Sequence, residues 1–265
     1  MLNNMLYLLN RAKFWSRNVN VWDLQMRACS LDRLVYLLFN KWGILGRQDR
    51  DIFSLLIKPG MNIVDVGANI GLLSMAFARL AGPDGLVFAF EPEPELFATL
   101  ELNCRNNGFE NISCFNMALG AKSGTSLLFQ SALHLGDNRM FGAEKSSRKK
   151  IEVTISRLDD IIKHQPIDFV KIDVQGYEMH VLKGMERLIS RSPNLRVMFE
   201  FYPKNLLMAG TSPEELLRYF RNRDFQIFQL DQDQRLSIVK DISSIHGTKS
   251  LIGKHFLSLI AMRNP

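Results

Sequence analysis

Cysteine is scarce in this chain of 265 residues. Cys29, Cys104 and Cys114 are an odd number, lie far apart and form no C-x-x-C pair, and no signal-peptide pattern precedes them. A disulfide-stapled scaffold is therefore disfavoured, and the expectation is reduced thiols in the cytoplasm. Long apolar runs are lacking as well. Arg11, Arg17, Arg27, Arg33 and Lys41 break the stretches that approach the length of a membrane span, so no bilayer crossing is expected. No repeat of roughly 20 to 50 residues and no low-complexity tract occurs, which removes solenoids and arrays from consideration. The basic run from Lys145 to Lys150 has no interleaved aromatic residues, so it reads as a solvated loop and a nucleic-acid contact is disfavoured.

What is present suits a folded protein: 46% hydrophobic and 23% charged residues exclude wholesale disorder. The length fits one large domain with a small appendage. The net charge of +6 is gathered near the start of the chain, where residues 1–60 hold nine Lys or Arg against Asp23, Asp32, Asp49 and Asp51. Leu2, Met5, Leu6 and Leu9 share one helical face, and a second amphipathic stretch runs from Leu31 to Trp42. These predict an N-terminal helical extension over residues 1–50 and a main domain over 51–265. The extension either caps the domain or rests peripherally on anionic lipid through residues 1–42.

The main domain is organised around residues 61–71, MNIVDVGANIG. Ile63, Val64 and Val66 predict a buried parallel strand, and Leu72 to Leu80 the helix that follows. Gly67 and Gly71 allow a sharp turn and a close approach to a ligand, and Asp65 adds a negative charge at the strand end. A dinucleotide turn needs G-x-G-x-x-G, but Asn69 and Leu72 stand at the second and third glycine positions, so pyrophosphate is disfavoured. A second strand, Leu86 to Phe90, ends at Glu91-Pro92, twenty residues past Gly71. A carboxylate there suits ribose hydroxyls. The combination fits a nucleoside carrying a cationic amino acid, which is the shape of S-adenosylmethionine.

Further strands are expected over Ile112–Leu119, Ile167–Ile172, Leu195–Phe199, Gln226–Leu230 and Phe256–Met262, the last two antiparallel, with helices over Pro94–Asn107, Met179–Ser190 and Pro213–Arg223. Residues 125–157 read as a hairpin inserted beside the sheet. The alternation predicts an α/β fold, a mostly parallel seven-stranded sheet with helices on both faces. Ligands in such sheets sit beyond the carboxyl ends of the strands, where Asp65, Glu91, Asp173 and Glu200 all fall. Asn116 and Ala118 are candidates for the adenine edge.

The stretches VDVGANIG (64–71), FEPEP (90–94), NMALG (116–120), GDNRM (136–140), DFVKIDVQGYE (168–178) and EFYP (200–203) together resemble the FkbM-type family of S-adenosylmethionine-dependent methyltransferases. The resemblance implies a Rossmann-like class I methyltransferase fold, with Asp65, Gly67, Ala68, Asn69, Gly71, Glu91, Pro92 and Asp173 near the cofactor. It also implies transfer to a hydroxyl oxygen of a small-molecule, glycan or lipid acceptor.

Such a transfer needs a proton acceptor facing the hydroxyl. Asp173, Glu178 and Glu200 are the carboxylate candidates, either as base or together holding a Mg²⁺-type cation. Glu178 also suits the start of the helix after the fourth strand. His134, on the polar insertion, is a further proton acceptor, and His180 reads as a packing residue. Two other classes stay open: a non-catalytic cofactor-binding scaffold, and a nucleic-acid methyltransferase, whose Pro-Pro-aromatic signature is replaced here by Asp173-Val174-Gln175-Gly176.

Overall fold

The computed structural model describes residues 18–27, 47–131, 138–141, 149–230, 235–245 and 257–263. The chain opens with an antiparallel hairpin of β1 (Asn18–Val21) and β2 (Leu24–Arg27), followed by α1 (Arg47–Leu56). The helices expected over 2–15 and 31–42 lie outside the described residues, and residues 18–27 between them, within the extension read as helical, form a strand hairpin. Helix α1 also runs across the boundary placed at residue 50.

The βα alternation then builds β3 (Asn62–Val66), α2 (Leu72–Ala81), β4 (Leu86–Phe90), α3 (Pro94–Asn106) and β5 (Ile112–Phe115). Strand β3 is buried on both faces, the pattern that Ile63, Val64 and Val66 predict. Glu93 starts α3 by accepting a hydrogen bond from the Leu96 amide, with Pro94 in the first turn. After an insertion come β9 (Phe169–Ile172), α5 (Glu178–Lys183), α6 (Glu186–Arg191), β10 (Arg196–Phe201), α7 (Pro203–Met208), α8 (Pro213–Arg221), β11 (Gln226–Leu230), β12 (Leu236–Ile238) and β13 (Leu257–Met262). The insertion holds β6 (Ala118–Leu119), β7 (Gly124–Gln130), β8 (Lys149–Ser156) and the short α4 (Leu158–Ile161).

Among the described residues the main sheet has eight strands in the order β12-β11-β13-β10-β9-β3-β4-β5. Strands β5, β4, β3, β9 and β10 are parallel neighbours, β13 runs antiparallel between β10 and β11, and β12 pairs antiparallel with β11. The seven-strand expectation is short by β12, which adds three residues to the edge from within the 235–254 excursion. The strand expected over 112–119 splits, because β5 stays in the main sheet while β6 pairs with β8 in a separate sheet ordered β6-β8-β7. The helix expected over 179–190 breaks between α5 and α6. There Gly184 packs so tightly on the backbone of Gly120 that a side chain at 184 would overlap the Gly120 carbonyl.

Strand β3 lies between β4 and β9, so chain direction through the sheet reverses its order at this strand. The crevice above the carboxyl ends of β3 and β9 is the switch point at which open α/β sheets bind ligands.

Candidate functional site

The turn from β3 into α2 is held from every side. Backbone φ is positive at Gly67 (78°), Asn69 (53°) and Gly71 (90°), and a Cβ at residue 67 would overlap the Asp173 carbonyl oxygen at the end of β9. Glycine is required at 67 on both counts. The amides of Gly67 and Ala68 donate to the Phe90 carbonyl at 3.0 Å each, that of Asn69 to Glu91 Oε2 at 2.8 Å, that of Ile70 to Asn69 Oδ1 at 2.7 Å, and that of Gly71 to the Ala68 carbonyl at 2.9 Å. Five successive amides are thus engaged within the protein. A phosphate cradle needs such amides free.

Asp65 departs from expectation. It is fully buried, accepting from Ser74 Oγ at 2.6 Å and standing 3.2 Å from Lys171 Nζ. Its charge braces the turn from below and is not offered to a ligand, because α2 and β9 close over it. Lys171, itself 7% exposed, donates to the Gly67 carbonyl at 3.0 Å and lies 3.7 Å from Asp173 Oδ2. Burial alone would depress its ammonium, but Asp65, Asp173 and Glu200 outweigh burial and hold it above the ordinary lysine value. The sequence reading passes over Lys171. The available signal is a single lysine inside the apolar run Phe169–Ile172.

Glu91 stands across the turn from Asp173. Oε2 accepts from Asn69 and Oε1 from the Glu93 amide at 3.0 Å, so this carboxylate ties the glycine turn to the β4 loop. Burial pushes it up to about 7 despite those two amides. Each oxygen keeps a further lone pair for a hydroxyl. Asn116 is exposed, and its side-chain amide donates to the carbonyls of Glu91 at 2.9 Å and Pro92 at 3.1 Å, which fixes the loop beside that carboxylate. Ala118 does not join them. Its methyl is buried with Leu128, Val153 and Ile155 in the core of the inserted sheet, because β6 pairs with β8 and turns away from the crevice.

At the tips of β9 and β10 the Asp173 side chain is 43% exposed. Gln175, at φ 56°, bridges two carboxylates, its Nε2 donating at 3.2 Å to both Asp173 Oδ1 and Glu200 Oε1. Its Oε1 accepts from Asn205 Nδ2 at 3.5 Å. An amide therefore occupies the place a bridging cation would need. Among the described residues no group of three or more His, Cys, Asp or Glu is arranged to hold a metal. Glu200 is 6% exposed and lifted well above the ordinary carboxylate range by burial and by its acidic neighbours Asp173 and Glu178.

Glu178 is a structural residue here. Only 1% exposed, it accepts at Oε1 from the amides of Gly176 at 3.0 Å and Val174 at 3.4 Å, shaping the 174–176 loop, and burial raises it to about 7. It does not reach the crevice mouth as a base would. His180 stacks on Tyr177 with ring centroids 4.0 Å apart, and His134 lies outside the described residues.

The family model of the methyltransferase FkbM domain matches residues 65–227, well over half of the chain. The chain belongs to the FkbM methyltransferase family. Among relatives of this FkbM-family protein, Methyltransferase 1 of Beauveria bassiana is 26% identical over 145 residues, covering 47% of this chain and 58% of that one. This chain thus spans less than two thirds of that relative. The 2-O-methyltransferase NoeI of Sinorhizobium fredii is 28% identical, covering 62% of this chain and 72% of its own. The hexuronic acid methyltransferase AglP of Haloferax volcanii is 28% identical, covering 71% and 79%. The matched residues run from Asp65, below the glycine turn, to Ile227 in β11, so they take in the crevice described above.

Proposed function

We propose that the protein is an S-adenosylmethionine-dependent methyltransferase acting on a hydroxyl oxygen, with Asp173 as the group that faces the acceptor. The observation that carries this reading is the packing of Gly67 on the backbone carbonyl of Asp173 at the end of β9, which brings the glycine turn beside that residue, while Glu91 binds the turn from the β4 side. The crevice residues fit a nucleoside donor. The turn amides are engaged within the protein, which suits a ligand without phosphates, and Glu91 retains acceptor capacity for two ribose hydroxyls.

When bound, S-adenosylmethionine supplies an electrophilic methyl carbon on a sulfonium. Gly67 would let the backbone come close to that donor and Glu91 would hold its ribose, while Lys171 fixes the turn from beneath. Asp173 would take the proton that an acceptor hydroxyl gives up on methylation. Gln175, anchored on Glu200, holds the Asp173 carboxylate in one orientation. The relatives named as a 2-O-methyltransferase and a hexuronic acid methyltransferase support a small-molecule or glycan acceptor.

The test has two parts. Calorimetry should show S-adenosylhomocysteine binding and no NAD binding. Incubation with a methyl-labelled donor and a glycan and metabolite extract should transfer label to a hydroxyl, and label that appears only on nitrogen or carbon would refute oxygen as the acceptor atom.

A further inference from the structure

The N-terminal hairpin is fastened to the glycine turn through one buried side chain. Trp22 and Asp23 join β1 to β2 with φ of 49° and 63°, the left-handed pair that a two-residue hairpin turn requires. Val21 and Leu24 close this turn, so the next outward-facing positions of β2 are Gln25 and Arg27, whose amides and carbonyls point away from β1. Two asparagines one helical turn apart on α3 receive them. Asn107 Oδ1 accepts from the Gln25 amide at 3.0 Å and its Nδ2 donates to the Gln25 carbonyl at 3.0 Å. Asn103 does the same for Arg27, at 2.7 Å and 3.0 Å.

Asn103 has one amide proton left, and it goes to the Ile70 carbonyl at 2.8 Å, within the glycine turn. Asn107 makes no such contact; its second donation stays on α3, at the Asn103 carbonyl. The apolar side of the hairpin agrees. Val21, Leu24 and Met26 are buried in one cluster with Ala68, Ile70 and Met75. Arg79 on α2 adds a hydrogen bond to the Trp22 carbonyl at 3.0 Å.

We infer that Asn103 is a positioning residue for the glycine turn and that, through it, docking of the N-terminal hairpin and binding of the methyl donor are coupled. The inference rests on the reading of residues 64–71 as the donor turn. Two of the three hydrogen bonds of the Asn103 side chain are spent on Arg27, so the hairpin fixes the plane of the amide. That plane aims the remaining N–H at Ile70. The turn has its five amides locked in internal bonds, so a shift at Ile70 is passed to Asn69 and thence to Glu91. Coupling between two binding events is reciprocal, and typical values change affinity about 5- to 150-fold.

The experiment compares Asn103→Ala with Asn107→Ala. Both remove hydrogen bonds to the hairpin, and both should lower the melting temperature. Only Asn103→Ala removes the link to Ile70, so its dissociation constant for S-adenosylhomocysteine should rise about tenfold while that of Asn107→Ala stays within about twofold of the parent. Equal affinities in the two variants overturn the inference. Hydrogen exchange on the unmodified protein does not depend on either variant folding. Saturation with S-adenosylhomocysteine should slow exchange of the amides at residues 24–27. Binding without any change at those amides refutes the coupling alone, whereas absence of binding refutes the donor reading and the coupling with it.

Discussion

The Lys171 ammonium lies 3.2 Å from Asp65 Oδ1, with neither side chain open to solvent. It joins two strands, β9 and β3, directly below the glycine turn. Removing one member of a buried pair leaves the other charge uncompensated, which costs about 3–5 kcal/mol. Lys171→Met should therefore lower the unfolding free energy in urea by that amount. Adding Asp65→Asn to Lys171→Met should recover part of the loss; a double variant less stable than Lys171→Met would show that the pair is not the source of it.

Glu91 offers a test of the donor site. Its replacement by Ala removes the acceptor of the Asn69 and Glu93 amides and the carboxylate proposed to hold the ribose. Affinity for S-adenosylhomocysteine should fall by roughly 1.5–3 kcal/mol, about ten- to more than a hundredfold. Titration calorimetry reads this directly, and unchanged affinity would take Glu91 out of the site.

Asp173→Asn keeps the side-chain shape and the contact with Gln175 while removing the proton acceptor. Donor affinity should change little, and turnover of whichever hydroxyl acceptor the labelling experiment identifies should fall about 10²–10⁴-fold. Parent-like turnover would move the search to His134.

Two buried carboxyls set a pH dependence. Glu91 and Glu178 are both pushed by burial from 4.5 to about 7 in the folded protein. Between those values the native state binds more protons than the unfolded chain, so stability falls as pH rises. The stabilising protonation is fully present below about pH 4.5 and is lost through pH 7. Urea denaturation of the donor-free protein at pH 5.5 and 8 should show the higher value at pH 5.5, with each group contributing on the order of 2–3 kcal/mol. Glu178→Gln should flatten that slope, and an unchanged slope would mean that Glu178 ionises freely in the fold.

The alternation of strand and helix is legible in the sequence because β3 and β9 are buried on both faces and β4 over most of its length, so that each reads as a largely apolar run. The glycine turn is legible because only glycine tolerates the backbone at 67. Where the reading fails, the decisive fact is three-dimensional. Asp65 ends a strand beside the turn, but the sequence does not say that its side chain points under the turn and not into the crevice. Glu178 looks like one of three converging acids until its contacts with the 174–176 amides are seen. The hairpin at 18–27 gives little signal, since Trp22-Asp23 carries none of the glycine or asparagine expected of such a turn. Lys171 is hidden by its own surroundings, an apolar strand in which one charge is easily passed over.

The bond from Lys171 Nζ to the Gly67 carbonyl spans 104 residues of chain. The β3-α2-β4 segment can collapse on local contacts, but the crevice has no far wall until β9 arrives from beyond the inserted sheet. Parallel pairing at such separation pays its loop-closure entropy before it is rewarded, which makes it slow. During that interval Asp65 has Ser74 but no cation, and an unpaired carboxylate cannot be buried cheaply. Pairing of β9 with β3 is therefore also a neutralisation event, and the refolding rate should depend on Lys171 more steeply than on any crevice residue that meets only ligand.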